Sequence, residues 1–127
     1  MPEPSSNQEK SVSTITFYHN PRCSKSRQAL ALLRERKIEP EIIEYLKTPP
    51  SVQELDRILN LLAMEPRALM RKKESVYEDL ALDDESLDRF SLLQAMIEHP
   101  ILIERPIVVT KGRAALGRPP ERVLDVI

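Results

Sequence analysis

Between Ile15 and Tyr45 a β-branched run, a proline break, a helix-forming run, a second proline break and another β-branched run follow in close order. Ile15 to His19 has the short, branched and aromatic make-up of a strand. Asn20-Pro21 is a turn signal. The run SRQALALLRERK, from Ser24 or Lys25 to Lys37, is rich in helix formers, and Ala29, Leu30 and Leu33 give it one apolar face. Pro40 stops that pattern, and EIIEY, Glu41 to Tyr45, reads as a second strand. Two strands joined through a helix cannot pair as a hairpin. Such a βαβ unit favours a parallel pair with a right-handed crossover.

The remainder reads as helices followed by a hairpin. Thr48-Pro49-Pro50 is a rigid break, and Ser51 with Glu54 has the spacing of a capping box for a helix carrying Val52, Leu55, Ile58, Leu59 and Leu62. A short helical piece, RALM, leads into Arg71-Lys72-Lys73. A further helix is predicted from near Asp84 to His99-Pro100, with Leu87, Phe90, Leu93 or Gln94, and Ile97 on its inner face. Ile107 to Val109 is a strand, Thr110-Lys111-Gly112 a turn, and Arg113 to Leu116 its antiparallel partner. Pro119-Pro120-Glu121 opens a last helix with Val123, Leu124 and Ile127 facing inward. The order predicts a small mixed sheet covered by helices, an α/β domain over residues 14–127 preceded by a flexible polar tail at 1–13.

Composition excludes several function classes. A net charge of -1 offers no basic excess for nucleic acid or an anionic membrane surface. No apolar run approaches the roughly 20 residues of a membrane span, and the N-terminus lacks the pattern of a secretory signal. A single cysteine rules out an intramolecular disulfide and any zinc site built on several thiolates. His19 and His99 are far apart in sequence, so no metal site is expected. A free thiol suits a reducing cytoplasm.

That cysteine, Cys23, lies between a strand end and a helix start. Unpaired N–H groups at a helix N-terminus favour a thiolate, the reactive form, and the same geometry can cradle an oxyanion. Arg22, Lys25 and Arg27 add positive charge nearby. Lone cysteines are also common as small buried hydrophobes, but Pro, charge and hydroxyls flank this one. Ser26 stands where a Cys-x-x-Cys motif would place its second cysteine, so an oxidised or adducted Cys23 needs an outside thiol to resolve it. Ser26 also suits a hydroxyl of the first helical turn.

The segment YHNPRCSKSR resembles the active-site segment of the glutaredoxin-linked arsenate reductases, a family of thioredoxin-like fold. IIEYLKTPPSVQEL, RALMRKKESVYEDLAL, HPILIERPIVV and GRPPERVLDVI are similar to further segments of that family, in order and at similar spacing. The resemblance implies that Cys23 is the nucleophile toward arsenate, that His19 helps tune its thiol, and that Arg71, Arg105 and Arg118 bind the oxyanion. It implies a cis bond before Pro106, glutathione as co-substrate with no resident cofactor, and glutaredoxin as partner. Planar, permanently charged guanidinium groups suit a tetrahedral oxyanion. Taken singly, Arg71 opens a basic run of the kind that faces solvent, His19 could be a strand-end histidine bonded to the backbone, and Glu104 competes for any nearby arginine. A glutathione-dependent thiol enzyme acting on another substrate and a regulatory relative that binds RNA polymerase are the alternatives. The latter commonly carries a Cys-x-x-Cys switch that this chain lacks.

Overall fold

The computed structural model describes residues 15–127. The stretch read as a flexible tail, residues 1–13, lies outside the described residues, as does Thr14. The chain divides into two compact units. One comprises the described residues up to Glu44 together with Arg105–Ile127, and the other is Tyr45–Glu104.

The first unit is built on a four-stranded sheet in the order β2-β1-β3-β4. Its strands are β1 (Thr16–His19), β2 (Glu41–Glu44), β3 (Ile107–Thr110) and β4 (Arg113–Leu116). β1 pairs in parallel with β2 through helix α1 (Ser24–Glu35), and antiparallel with β3, which pairs antiparallel with β4. The register aligns Ile42, Phe17, Val108 and Ala115 in one row. Because side chains alternate across a sheet, the row shares a face. On that face Phe17, Val108 and Ala115 form a core with Ala29, Leu30 and Leu33 of α1 and with Val123 and Val126. Glycine is the residue most often found where a helix ends in the left-handed region, yet here Lys37 takes that position at φ 62. Its N–H bonds Arg34 O at 2.9 Å and the Ile38 N–H bonds Leu33 O at 3.0 Å. This closure stops α1 at Glu35, before the expected Lys37.

The last helical segment, Pro120–Val126, is a 3-10 helix. Its buried residues are Pro120, Val123 and Val126, whereas Ile127, expected to face inward, is 41% exposed. Three residues per turn places every third residue on one line, which selects Val126 in place of Ile127.

The second unit contains α2 (Val52–Leu62), a 3-10 turn Pro66–Leu69, α3 (Ser75–Asp79), α4 (Arg89–Glu98) and a 3-10 turn Pro100–Leu102. Ser51 caps α2, its hydroxyl accepting from the Glu54 N–H at 3.1 Å. The α4 expectation is corrected. Asp84 spends its carboxylate on the Ser86 N–H and hydroxyl, at 2.9 and 2.8 Å, which makes a turn. Asp88 is the cap, accepting from the Ser91 N–H at 2.8 Å. Starting at Arg89, the helix buries Leu92, Leu93, Ala95 and Met96 and leaves Phe90 61% exposed. One residue rotates the face by about 100°, enough to swing Phe90 out. The Arg89 guanidinium meets Asp56 of α2 at 2.7 Å. Within this unit the residues after the Pro66–Leu69 turn are tied to its last residues by a Met70–Ile103 bridge, flanked by Arg71 N–H to Leu102 O at 2.7 Å and Glu104 N–H to Leu69 O at 2.8 Å.

Candidate active site

The first unit contains Cys23, His19, Arg105, Pro106 and Arg118, and it brings Arg105 to Cys23 at the point where β1 gives way to α1. His19 ends β1. The Asn20 side chain accepts from the Arg22 N–H at 3.0 Å, and the Cys23 N–H closes the turn on Asn20 O at 3.0 Å. This places Cys23 at the N-cap of α1, with extended backbone and its carbonyl already accepting from the Arg27 N–H at 3.0 Å. A thiol is a poor cap, and Cys23 closes no full capping bond through its side chain.

The sulfur nevertheless lies in a field that favours its ionised form. Burial pushes the Cys23 thiol up, but the Ser26 N–H, the positive charge of Arg105, the Lys25 N–H and the Arg105 side-chain N–H together hold it below the ordinary cysteine value. Cys23 is partly exposed and reachable. Two guanidinium nitrogens of Arg105, Nε and Nη1, are shielded from solvent.

His19 sits one layer behind. It is 7% exposed, and its Nδ1 lies 2.7 Å from the hydroxyl of fully buried Ser26. The same hydroxyl accepts from the Asn20 N–H at 3.1 Å. Burial lowers the His19 pKa below the ordinary histidine value. Glu44, its register partner on β2, opposes that shift, while Arg34 and Arg27 add to it. Ser26 therefore has a structural task that sequence spacing did not show.

The other flank is set by two cis peptide bonds, Arg105–Pro106 and Arg118–Pro119. Sequence reading named only the first of these positions. Between them lies Gly117, buried, its N–H bonded to Pro106 O at 2.8 Å. A Cβ at Gly117 would stand 2.7 Å from Pro106 Cγ and 2.9 Å from Val123 Cγ1. Only glycine lets the end of β4 pass so close to Pro106. Arg118 follows, exposed, with its N–H on Leu116 O at 2.9 Å.

Arg71 belongs to the second unit. There its guanidinium pairs with Glu74 at 2.8 Å and lies 3.9 Å from Glu104. A separate groove of about 600 Å³ runs along His19, Pro21, Arg27, Leu30 and Arg34. Cys23 does not line it. Among the described residues no group of three or more His, Cys, Asp or Glu side chains could hold a metal ion, and no helix is long and apolar enough to cross a membrane.

The ArsC family profile matches residues 18–126. The Escherichia coli protein YfgD is 51% identical over 114 residues, covering 89% of this chain and 96% of that one. An arsenate reductase of Neisseria meningitidis is 50% identical over 114 residues, covering 89% of this chain and 97% of the relative. Among solved structures, an arsenate reductase from Vibrio cholerae superposes with a TM-score of 0.86 at 54% identity, over 89% of this chain and 97% of that one. The fold is the thioredoxin-like α/β fold of those structures. With the profile spanning nearly all the described residues and relatives at half identity, the chain belongs to the ArsC family.

Proposed function

We propose that this protein is an arsenate reductase that uses Cys23 as nucleophile and takes its reducing electrons from external thiols, glutathione and glutaredoxin. The observation that carries the reading is the Cys23 environment: a partly exposed thiol at a helix N-terminus, held toward the thiolate by two backbone amides and by Arg105. The family relationship, with relatives named arsenate reductase at about half identity, supplies the substrate.

The Cys23 thiolate forms a sulfur–arsenic(V) bond, and an arsenate oxygen leaves, protonated, as water. Glutathione condenses on the arsenic of this adduct, releasing a second water. A glutaredoxin thiolate attacks the glutathione sulfur, forming a mixed disulfide and leaving the electron pair on arsenic, now arsenic(III). Hydrolysis of the Cys23–arsenic bond frees arsenite and restores the thiol. The two electrons come from two external sulfurs because the chain has a single cysteine.

Arg105 and Arg118 are the guanidinium groups of the first unit proposed to offset the repulsion between thiolate and oxyanion and to stabilise the charge of the transition state. Arg71 is carried into this role by the family resemblance. His19 is proposed to support the thiol. The test is a coupled assay with glutathione, glutaredoxin and glutathione reductase, reading NADPH oxidation on adding arsenate. The expected result is an arsenate-dependent rate that falls by more than about a thousandfold in Cys23→Ser. A wild-type protein with no arsenate-dependent rate refutes the proposal.

A further inference from the structure

The hydrogen bonds around Ser26 constrain where His19 can carry its proton. A serine hydroxyl has one proton to give and two lone pairs to accept with. Ser26 is fully buried, so solvent takes no part. Its oxygen has two neighbours within hydrogen-bond distance, the Asn20 N–H at 3.1 Å and His19 Nδ1 at 2.7 Å. The first is a donor, so the hydroxyl proton has one place to go, a lone pair on Nδ1. If Nδ1 carried a proton, as in the imidazolium or the other neutral tautomer, the Ser26 proton would be left buried without an acceptor. That arrangement is disfavoured by about ten to one or more.

We propose that Ser26 is a positioning residue that locks His19 as the neutral Nε2–H tautomer, and that His19 acts on Cys23 through Ser26 and not as a neighbouring cation. The coupling runs through one residue, because the Ser26 side chain holds the ring while the Ser26 backbone N–H supports the Cys23 thiolate. The charged groups facing His19 are Glu44 from β2 and Arg27 and Arg34 from α1, and the Phe17 ring lies 5.3 Å away. The nearby cation that acts on the sulfur is Arg105. This assignment rests on Cys23 being the nucleophile proposed above, but its test needs neither arsenate nor glutathione.

The experiment is a long-range ¹H–¹⁵N correlation spectrum of the full-length, ¹⁵N-labelled protein near pH 7. The expected pattern for His19 is an unprotonated Nδ1 and a protonated Nε2. A protonated Nδ1, whether as the other tautomer or as imidazolium, overturns the proposal. A second arm uses Ser26→Ala. Its expected signature is a His19 tautomer excess that drops at least about threefold, together with iodoacetamide alkylation of Cys23 that shifts to higher pH. A folded Ser26→Ala protein with unchanged His19 signals also overturns it. If Ser26→Ala does not fold, the wild-type spectrum decides alone. Failure of the arsenate assay with the expected tautomer present would refute the substrate and leave this assignment standing.

Discussion

Replacing Gly117 by alanine places a methyl group where two side chains already stand. The new Cβ would sit 2.7 Å from Pro106 Cγ and 2.9 Å from Val123 Cγ1. Carbon atoms in contact prefer roughly 3.5–4.0 Å, so the overlap is close to an ångström at both. Neither neighbour has free room, since Pro106 is a buried ring and Val123 is 0% exposed. Forcing one methyl into such a site costs about 1–3 kcal/mol. For a chain of this length that corresponds to a fall in Tm of roughly 3–12 °C. Gly112 provides the control. It has φ +80 and nothing within 4 Å of its would-be Cβ, so Gly112→Ala carries only the backbone strain, about 1 kcal/mol. Val123→Ala removes one of the two obstacles. The double variant should therefore lose less stability than the sum of the single ones. Thermal melts followed by circular dichroism, with urea midpoints as a check, compare all four variants with wild type. A Gly117→Ala protein that melts within about 1 °C of wild type would refute the reasoning, because it would mean that Pro106 and Val123 yield freely.

Two other outcomes follow from the electrostatics. Arg105→Ala removes both the charge and the side-chain N–H that favour the Cys23 thiolate, so the midpoint of Cys23 alkylation against pH should move up; an unchanged profile would place the activation in the helix amides alone. The His19 pKa is lower folded than unfolded, so below the unfolded value of about 6.5 the unfolded chain binds the extra proton first. Stability contributed by His19 is thus present above that pH and lost as pH falls through the folded value. A His19→Asn variant, compared by urea unfolding from pH 8 to pH 5, should show a shallower loss than wild type.

The β1-α1-β2 unit, the β3–β4 hairpin and the Ser51 cap were legible because their signals are local: branched runs, proline breaks and a hydroxyl three residues before a glutamate. The α4 register was not. Sequence reading started this helix near Asp84, but Ser86 engages that carboxylate and Asp88 is the cap, so the buried face is offset from the expected one and Phe90 points outward. The last segment was misread by one residue because Pro120–Val126 winds as a 3-10 helix, a tighter period than the apolar pattern was matched to. At the site, Cys23 was identifiable from its place between strand and helix. The tasks of Ser26 and Gly117 were not. Each depends on a partner brought in by folding, the ring of His19 in one case and Pro106 in the other.

The order of the strands sets when the thiol can be activated during synthesis. β1 lies between β2 and β3, and Phe17 pairs with Val108, a contact between residues roughly ninety positions apart. A parallel pair of β1 and β2 alone is marginal. The whole Tyr45–Glu104 unit is translated before Arg105 and β3 exist. A nascent chain therefore carries Cys23 for most of its elongation without the arginine that favours its thiolate. Cys23 gains the Arg105 part of its field only when the last fifth of the protein arrives, so a truncated or stalled chain presents a cysteine with at most the helix amides to favour its thiolate.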